Sequence, residues 1–208
     1  AKNNHIPIFP LYNSPVNYRL EMIPRSNRKL QILIIGYYSY IKNQLAVIDI
    51  VKEFQKYDIT FKFIGDKKGK YYAKCLKRVD SEKLNDYVEF LDDTECNLSD
   101  EISQSLAIIS TSITEALPIT LIESMACGTP FVAPSVGAIP FLDGGVIANV
   151  ARTRVESLKR IINNVEFWED LSLKGRKCYQ ENYHLKKNMK MLDNAVSNTI
   201  MLFHNRLN

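Results

Sequence analysis

Apolar residues along this chain alternate between two spacings, and the alternation predicts a fold. Residues 30–36 (LQILIIG) form a near-continuous apolar run, the pattern of a strand buried on both faces. Residues 43–57 follow with Leu45, Ile48, Val51 and Phe54 at helical spacing. The alternation continues with a strand at 59–65, a helix at 71–84, a short strand at 87–91 and a short helix at 97–104. Residues 106–110 (LAIIS) read as a strand and 118–127 as a helix, with proline at its first position and Gly128 just past its end. Strands at 131–134 and 146–150 follow. Val155, Leu158, Ile161, Ile162 and Val165 then share one helix face, and helices at 166–183 and 185–203 finish the chain.

Strand–helix alternation of this kind predicts an α/β domain: a Rossmann-like, doubly wound parallel sheet of about six strands with helices on both faces. Such sheets bind ligands at the C-terminal ends of their strands, near a switch in strand order. The domain is expected over residues 30–183. Residues 1–29 are a leading segment, where Pro7, Pro10, Pro15 and Pro24 exclude a long helix and 5–9 suit a short extended piece. Residues 184–208 are a C-terminal helix.

Composition adds mostly exclusions. With 208 residues, 46% hydrophobic and 24% charged, the chain can bury a core without disulfides or a structural metal. It lacks an apolar run of the roughly 18 residues a membrane span needs, and residues 1–15 lack a secretory pattern. Cys75, Cys96, Cys127 and Cys178 form no C-x-x-C pair, and His5, His184 and His204 are scattered. No metal site is therefore expected, and reduced thiols in a cytoplasmic protein are the better reading. A net charge of +4 permits anionic small molecules or peripheral contact with the inner face of a membrane. It falls short of a nucleic-acid footprint.

Three features look like chemistry and are read otherwise. The loop at 65–70 (GDKKGK) has one residue too few between its glycines for a phosphate loop, and Tyr71 stands where Ser or Thr is needed. Lys67, Lys68, Lys70, Lys74, Lys77 and Arg78 largely follow one helix face, the pattern of a solvated surface. The adjacent carboxylates Asp92 and Asp93 lack a third metal ligand and suit a turn or helix cap.

The segment at 110–134 (STSITEALPITLIESMACGTPFVAP) is different. A buried strand ends, a short polar loop carries Glu115, and a helix opens at Pro118. Proline at the first helical position puts Leu117 at the N-cap, where it offers no oxygen. The amides of Ile119, Thr120 and Leu121 are then free donors at the positive end of a helix dipole, suited to a phosphate. Glu123 lies ~7–8 Å along the axis from Pro118. A carboxylate repels phosphate, so Glu115 and Glu123 suit hydroxyls, one of a sugar ring and one of a ribose. An amphipathic helix with an acidic first half would explain the two carboxylates alone.

This segment resembles the E-x7-E signature of family 4 of the retaining glycosyltransferases, worded S-x-x-E-G-x-P-x-x-x-x-E-A-M-A-C-G-x-P-V-V-A. Ser112, Glu115, Pro118, Glu123, Met125, Ala126, Cys127, Gly128, Pro130, Val132 and Ala133 match it. Residues 36–43 (GYYSYIKN) resemble the family's G-R-x-x-x-x-K-G loop, 88–91 (VEFL) its V-x-F-x strand, and 136–140 (VGAIP) its V-G-G-I-P loop. Tyr37 stands at the usual arginine, Phe141 at a frequent glutamate, and Ala116 and Ala138 at glycines. The resemblance covers about residues 30–183.

It implies the C-terminal, donor-binding half of a two-domain GT-B fold. Glu115 and Lys42 are implied as the catalytic residues, with Lys42 on the donor diphosphate and Glu115 on the transferred sugar. Glu123 would hold the ribose diol, and the backbone of Leu117, Pro118, Ile119 and Thr120 phosphate or sugar oxygens. Gly36 and Tyr37 would line the donor loop, and Phe90, Leu91 and Asp92 would face the base. The implied activity is hexosyl transfer from a nucleotide-diphospho-sugar to a glycan or lipid-linked acceptor, with retention and without cofactor or metal. The acceptor would sit on a missing N-terminal domain, so little turnover is expected from this chain alone. A non-catalytic binding subunit that keeps the fold is the alternative. A sugar-nucleotide epimerase fits the E-x7-E wording poorly.

Overall fold

The computed structural model describes residues 22–207. The extended piece expected at 5–9 and the prolines at 7, 10 and 15 lie outside the described residues. After a 3-10 turn at Arg25–Asn27 the elements run β1 (Lys29–Ile35), α1 (Leu45–Val51), β2 (Thr60–Ile64), α2 (Gly69–Ser81), β3 (Val88–Leu91), α3 (Leu98–Gln104), β4 (Ser105–Ile109), α4 (Ile119–Ala126), β5 (Phe131–Ala133), β6 (Gly145–Ile147), α5 (Ala151–Asn163), α6 (Val165–Cys178) and α7 (Leu185–Leu207). The expected strand–helix alternation is present up to β5; β5 and β6 are joined by a 3-10 turn at Ile139–Phe141.

The six strands form one parallel sheet in the order β3-β2-β1-β4-β5-β6. From β1 the chain steps outward to β3, then returns to the other side of β1 with β4. The order therefore reverses between β1 and β4, and a crevice opens beyond their C-terminal ends, where such sheets take ligands.

Alternation along the strands separates two cores. Ile32 and Ile34 of β1 and Phe61 and Phe63 of β2 join Val47, Ile48 and Val51 of α1, Cys75 and Val79 of α2, and Leu158 and Ile161 of α5. Leu33 of β1, Ile64 of β2 and Ile108 of β4 face α4 through Leu121, Ile122 and Met125. Each fully buried Phe, Leu or Ile contributes about 1.5–3 kcal/mol, so slipping a strand by one residue would disrupt both layers at once.

Helix ends depart from the sequence expectation for local reasons. The helix expected at 43–57 begins at Leu45, because Asn43 has φ 53 and belongs to the preceding loop. Its second half tightens into a 3-10 segment, Lys52–Tyr57, that stops at left-handed Asp58. The helix expected at 166–183 changes to a π-helical turn at Tyr179–Tyr183, which buries both tyrosines in the core shared with α4. α4 ends as expected: Gly128 has φ +63, its amide donates to Met125 O at 3.1 Å, and the Thr129 amide donates to Ser124 O at 2.8 Å. This is a Schellman stop.

Arg28 fixes the far end of α4. Its buried guanidinium donates to Ser105 O and Cys127 O at 3.0 Å, Thr129 Oγ1 at 2.7 Å and Gly128 O at 3.4 Å, and it stacks on Trp168 at 4.8 Å. Arg176 donates to Ala126 O. Two cations thus sit at the negative pole of the helix whose positive pole opens on the crevice.

Candidate functional site

The site is assembled from the loops after β1 and β4. Gly36 continues the β1–β2 ladder by donating to Ile64 O at 2.9 Å, then turns with φ 139, a region where a side chain rarely fits. The Lys42 stem crosses this glycine: a Cβ at Gly36 would lie 3.5 Å from Lys42 Cε. Gln44, almost fully buried, straps the loop by donating to Tyr37 O at 2.9 Å and accepting from Ser39 N at 3.4 Å. Ser39 Oγ accepts from Lys42 N at 3.1 Å.

The two loops are bonded to each other. Thr111 Oγ1 donates to Asn43 O at 2.8 Å and Lys42 O at 3.2 Å, and Ile113 N donates to Ile41 O at 2.8 Å. These bonds place Lys42 opposite Glu115, with Nζ 2.6 Å from Oε1 across the switch point. The side chains are 23% and 12% accessible, so the pair is partly shielded yet reachable from the crevice. Tyr37, half exposed, holds its ring 5.9 Å from the Lys42 ammonium, within cation–π reach.

The loop after β5 supports Glu115 from behind. Gly137 has φ +55, and a Cβ there would lie 1.9 Å from Glu115 O. Ala138 N donates to Ala116 O at 2.9 Å. Neither alanine needs a glycine's freedom: among the described residues only Asn43, Asp58 and Lys83 have positive φ without being glycine. Phe141 projects from the next turn and is 81% exposed.

The N-terminus of α4 differs from expectation by one residue. Pro118, not Leu117, is the N-cap, with φ −73 and ψ 106 and no side-chain cap bond. Its carbonyl accepts from Leu121 N at 3.1 Å, so the Leu121 amide is not a free donor. The helix starts after proline because ψ 106 lies outside the helical region, leaving the Pro118 carbonyl to close the first turn. The donors left to an anion are the amides of Ile119 and Thr120. Glu123 sits buried on the second turn.

The end of β3 is more self-contained than its sequence suggests. The Phe90 ring packs on Phe63, Tyr72 and Tyr38 at 5.2, 5.5 and 6.1 Å. Leu91 O accepts from Gly65 N at 3.1 Å, and Asp92 N donates to Glu95 Oε2 at 3.0 Å. Asp92 caps the 3-10 turn Asp93–Glu95, accepting from Thr94 Oγ1 at 2.6 Å and Thr94 N at 3.1 Å, with Lys67 N at 3.3 Å. These bonds, Thr94's first, hold its carboxyl down at about 2. The cap role expected for Asp92 is present. Lys67 Nζ lies 2.9 Å from Glu95, and Lys70, Lys74 and Lys77 are exposed on α2. No cluster of three metal-ligating side chains occurs among the described residues, and no described helix is long and apolar enough to cross a membrane.

Gln44, Ser39 and Thr111 were not anticipated as site-forming residues. Gln44 carried a signal: it shares the helical spacing of Ile48 and Val51, which places a polar side chain at a core position. Ser39 bonds only within its own loop, and Thr111 carried no signal, since its hydrogen bonds reach 68 and 69 residues back along the chain.

A Lys–Glu pair thus stands at the strand-order switch beside an uncapped helix. The family model described as "Glycosyl transferases group 1" matches residues 21–166. The chain belongs to this family. N-acetyl-alpha-D-glucosaminyl L-malate synthase of Bacillus anthracis is 24% identical over 164 residues, which are 74% of this chain and 42% of that protein. Anabaena HepE, solved in complex with UDP-glucose, is 17% identical with a TM-score of 0.74 over 83% of this chain and 50% of its own. Sucrose-phosphate synthase of Thermosynechococcus elongatus is 18% identical with a TM-score of 0.75 over 86% of this chain and 47% of its own. These likenesses place the fold as one Rossmann-like half of GT-B enzymes. The chain spans half or less of each of these relatives.

Proposed function

We propose that this chain is the donor-binding domain of a retaining glycosyltransferase that moves a hexosyl group from a nucleotide-diphospho-sugar to a glycan or lipid-linked acceptor. The observation that carries the reading is the meeting of Lys42 and Glu115 at the β1–β4 switch point, 2.6 Å apart, in a chain of the glycosyltransferase family. Lys42 is a mobile point charge for the diphosphate. The Ile119 and Thr120 amides at the N-terminus of α4 add neutral donors and the helix dipole. Glu115 accepts from hydroxyls of the sugar, Glu123 from the ribose diol, and the end of β3 around Leu91 and Asp92 meets the base.

The chemical demand is an anionic diphosphate leaving group and a cationic sugar transition state. A preorganised ammonium and helix N-terminus stabilise the departing charge, so the proposal invokes no metal. The acceptor is held by a second domain, and this chain alone turns over little. The length of the relatives supports that division: this chain covers 47–50% of the two solved structures named above.

Calorimetric titration of UDP-, GDP- and ADP-sugars into the wild-type chain and Glu123→Ala tests the binding role. One series is expected to bind, with Glu123→Ala weakening it about tenfold through loss of a charge-assisted hydrogen bond. No binding of any series would exclude the donor role. Efficient transfer by this chain without another domain would exclude the division of labour.

A further inference from the structure

Lys42 and Glu115 have separate tasks in the proposed function, yet in the described structure each is the other's ligand. The pair is built rather than incidental. The Lys42 stem lies on Gly36, its backbone is fixed by Ser39 and Thr111, and Gly137 presses on the carbonyl of Glu115. The two backbones are thereby held within reach of each other, and a Glu115 carboxylate only 12% accessible has little water to fall back on once its cation leaves.

We propose that the Lys42–Glu115 pair makes this site select a diphosphate that carries a sugar over the same diphosphate without one. The inference rests on the donor-binding reading above. A diphosphate alone draws Lys42 away and leaves Glu115 as a shielded carboxylate without its cation, a loss that opposes binding. A diphosphate with a sugar attached supplies hydroxyl donors to Glu115 at the same moment. The pair is thereby replaced by two satisfied contacts, and the opposing term is removed. The device discriminates against the bare nucleoside diphosphate, which is the product, and in favour of the intact donor.

Binding of UDP and UDP-glucose, and of the GDP/GDP-mannose and ADP/ADP-glucose pairs, measured by calorimetry on the whole chain tests this. For the pair that binds, Glu115→Gln is expected to tighten the nucleoside diphosphate by about three- to tenfold, the range of a partly shielded ion pair. The nucleotide sugar is expected not to tighten, so the preference between the two narrows. Inorganic pyrophosphate, which needs no base, is expected to follow the nucleoside diphosphate. In a Lys42→Met background the added Glu115→Gln change is expected to have no effect, because there is no cation to release. Simple repulsion between Glu115 and phosphate would persist in that background, and its persistence would overturn the proposal. So would equal tightening of both ligands, or none, by Glu115→Gln. If the wild type binds none of the six nucleotides, the donor reading itself fails and this inference falls with it.

Discussion

The α-carbon of Gly137 packs against the backbone carbonyl of Glu115 so closely that a methyl group there would lie 1.9 Å from the oxygen. One glycine thus sets the height of the loop that presents the carboxylate to the crevice. Both loops leave the C-terminal ends of neighbouring parallel strands, β4 and β5.

Gly137→Ala is therefore expected to act on the site more than on the core. The substitution combines φ +55 with contacts to Glu115 O and Ala116 O, and relief requires the Glu115 loop to move. Strain at such a position costs about 1–3 kcal/mol. A melting temperature lowered by a few degrees and donor affinity lowered at least about tenfold are expected from thermal unfolding and calorimetry on one preparation. Unchanged affinity would show that the contact does not position Glu115.

Arg28 is expected to be a stability residue. Its guanidinium serves five acceptors, on Ile23 before β1, on β4, on the end of α4 and on the approach to β5, and burial lowers it to about 10 without removing its charge near neutrality. Arg28→Lys keeps the charge but cannot reproduce the fork. A loss of about 2–4 kcal/mol in denaturant unfolding is expected, with Arg28→Met at least as severe because buried carbonyls lose their donors.

Asp92 is expected to titrate far below an ordinary aspartate. Donors from Thr94 and Lys67 favour its charged form, so the folded value, about 2, lies below the unfolded one. Its contribution to stability is then complete above the unfolded value near ~3.9 and is lost as pH falls through the folded value. Carboxyl-detected NMR titration is the check. The midpoint is expected to rise toward 4 in Thr94→Val, which deletes the hydroxyl donor but keeps the amide.

The cysteines offer a probe of packing. Cys75, Cys127 and Cys178 are buried, and burial pushes the Cys75 thiol up to about 12. Cys96 is intermediate in exposure. With an aromatic disulfide reagent at pH 8, Cys96 is expected to react first, followed by the others only on unfolding. Cys96→Ser should remove the fast phase. Rapid reaction of Cys75 in the folded chain would contradict the described core.

Periodicity alone determined the order of the elements, because each strand and helix must present an apolar face and that need is written locally. It also placed Glu115 and the opening of α4 on a loop after a buried strand, and the motif wording identified Lys42 as a counterpart. The tertiary structure decided what no local pattern carries. The sheet order β3-β2-β1-β4-β5-β6 brings Lys42 and Glu115, 73 residues apart, to 2.6 Å. Backbone geometry made Pro118 the cap and took the Leu121 amide out of the anion site. Thr111 and Gly137 gained their roles through contacts with distant segments. Hydrophobic spacing and the Gln44 strap are properties of neighbours in sequence, whereas the carboxylate–ammonium pair and the close approach are properties of neighbours in space, fixed only when the chain crosses back over β1.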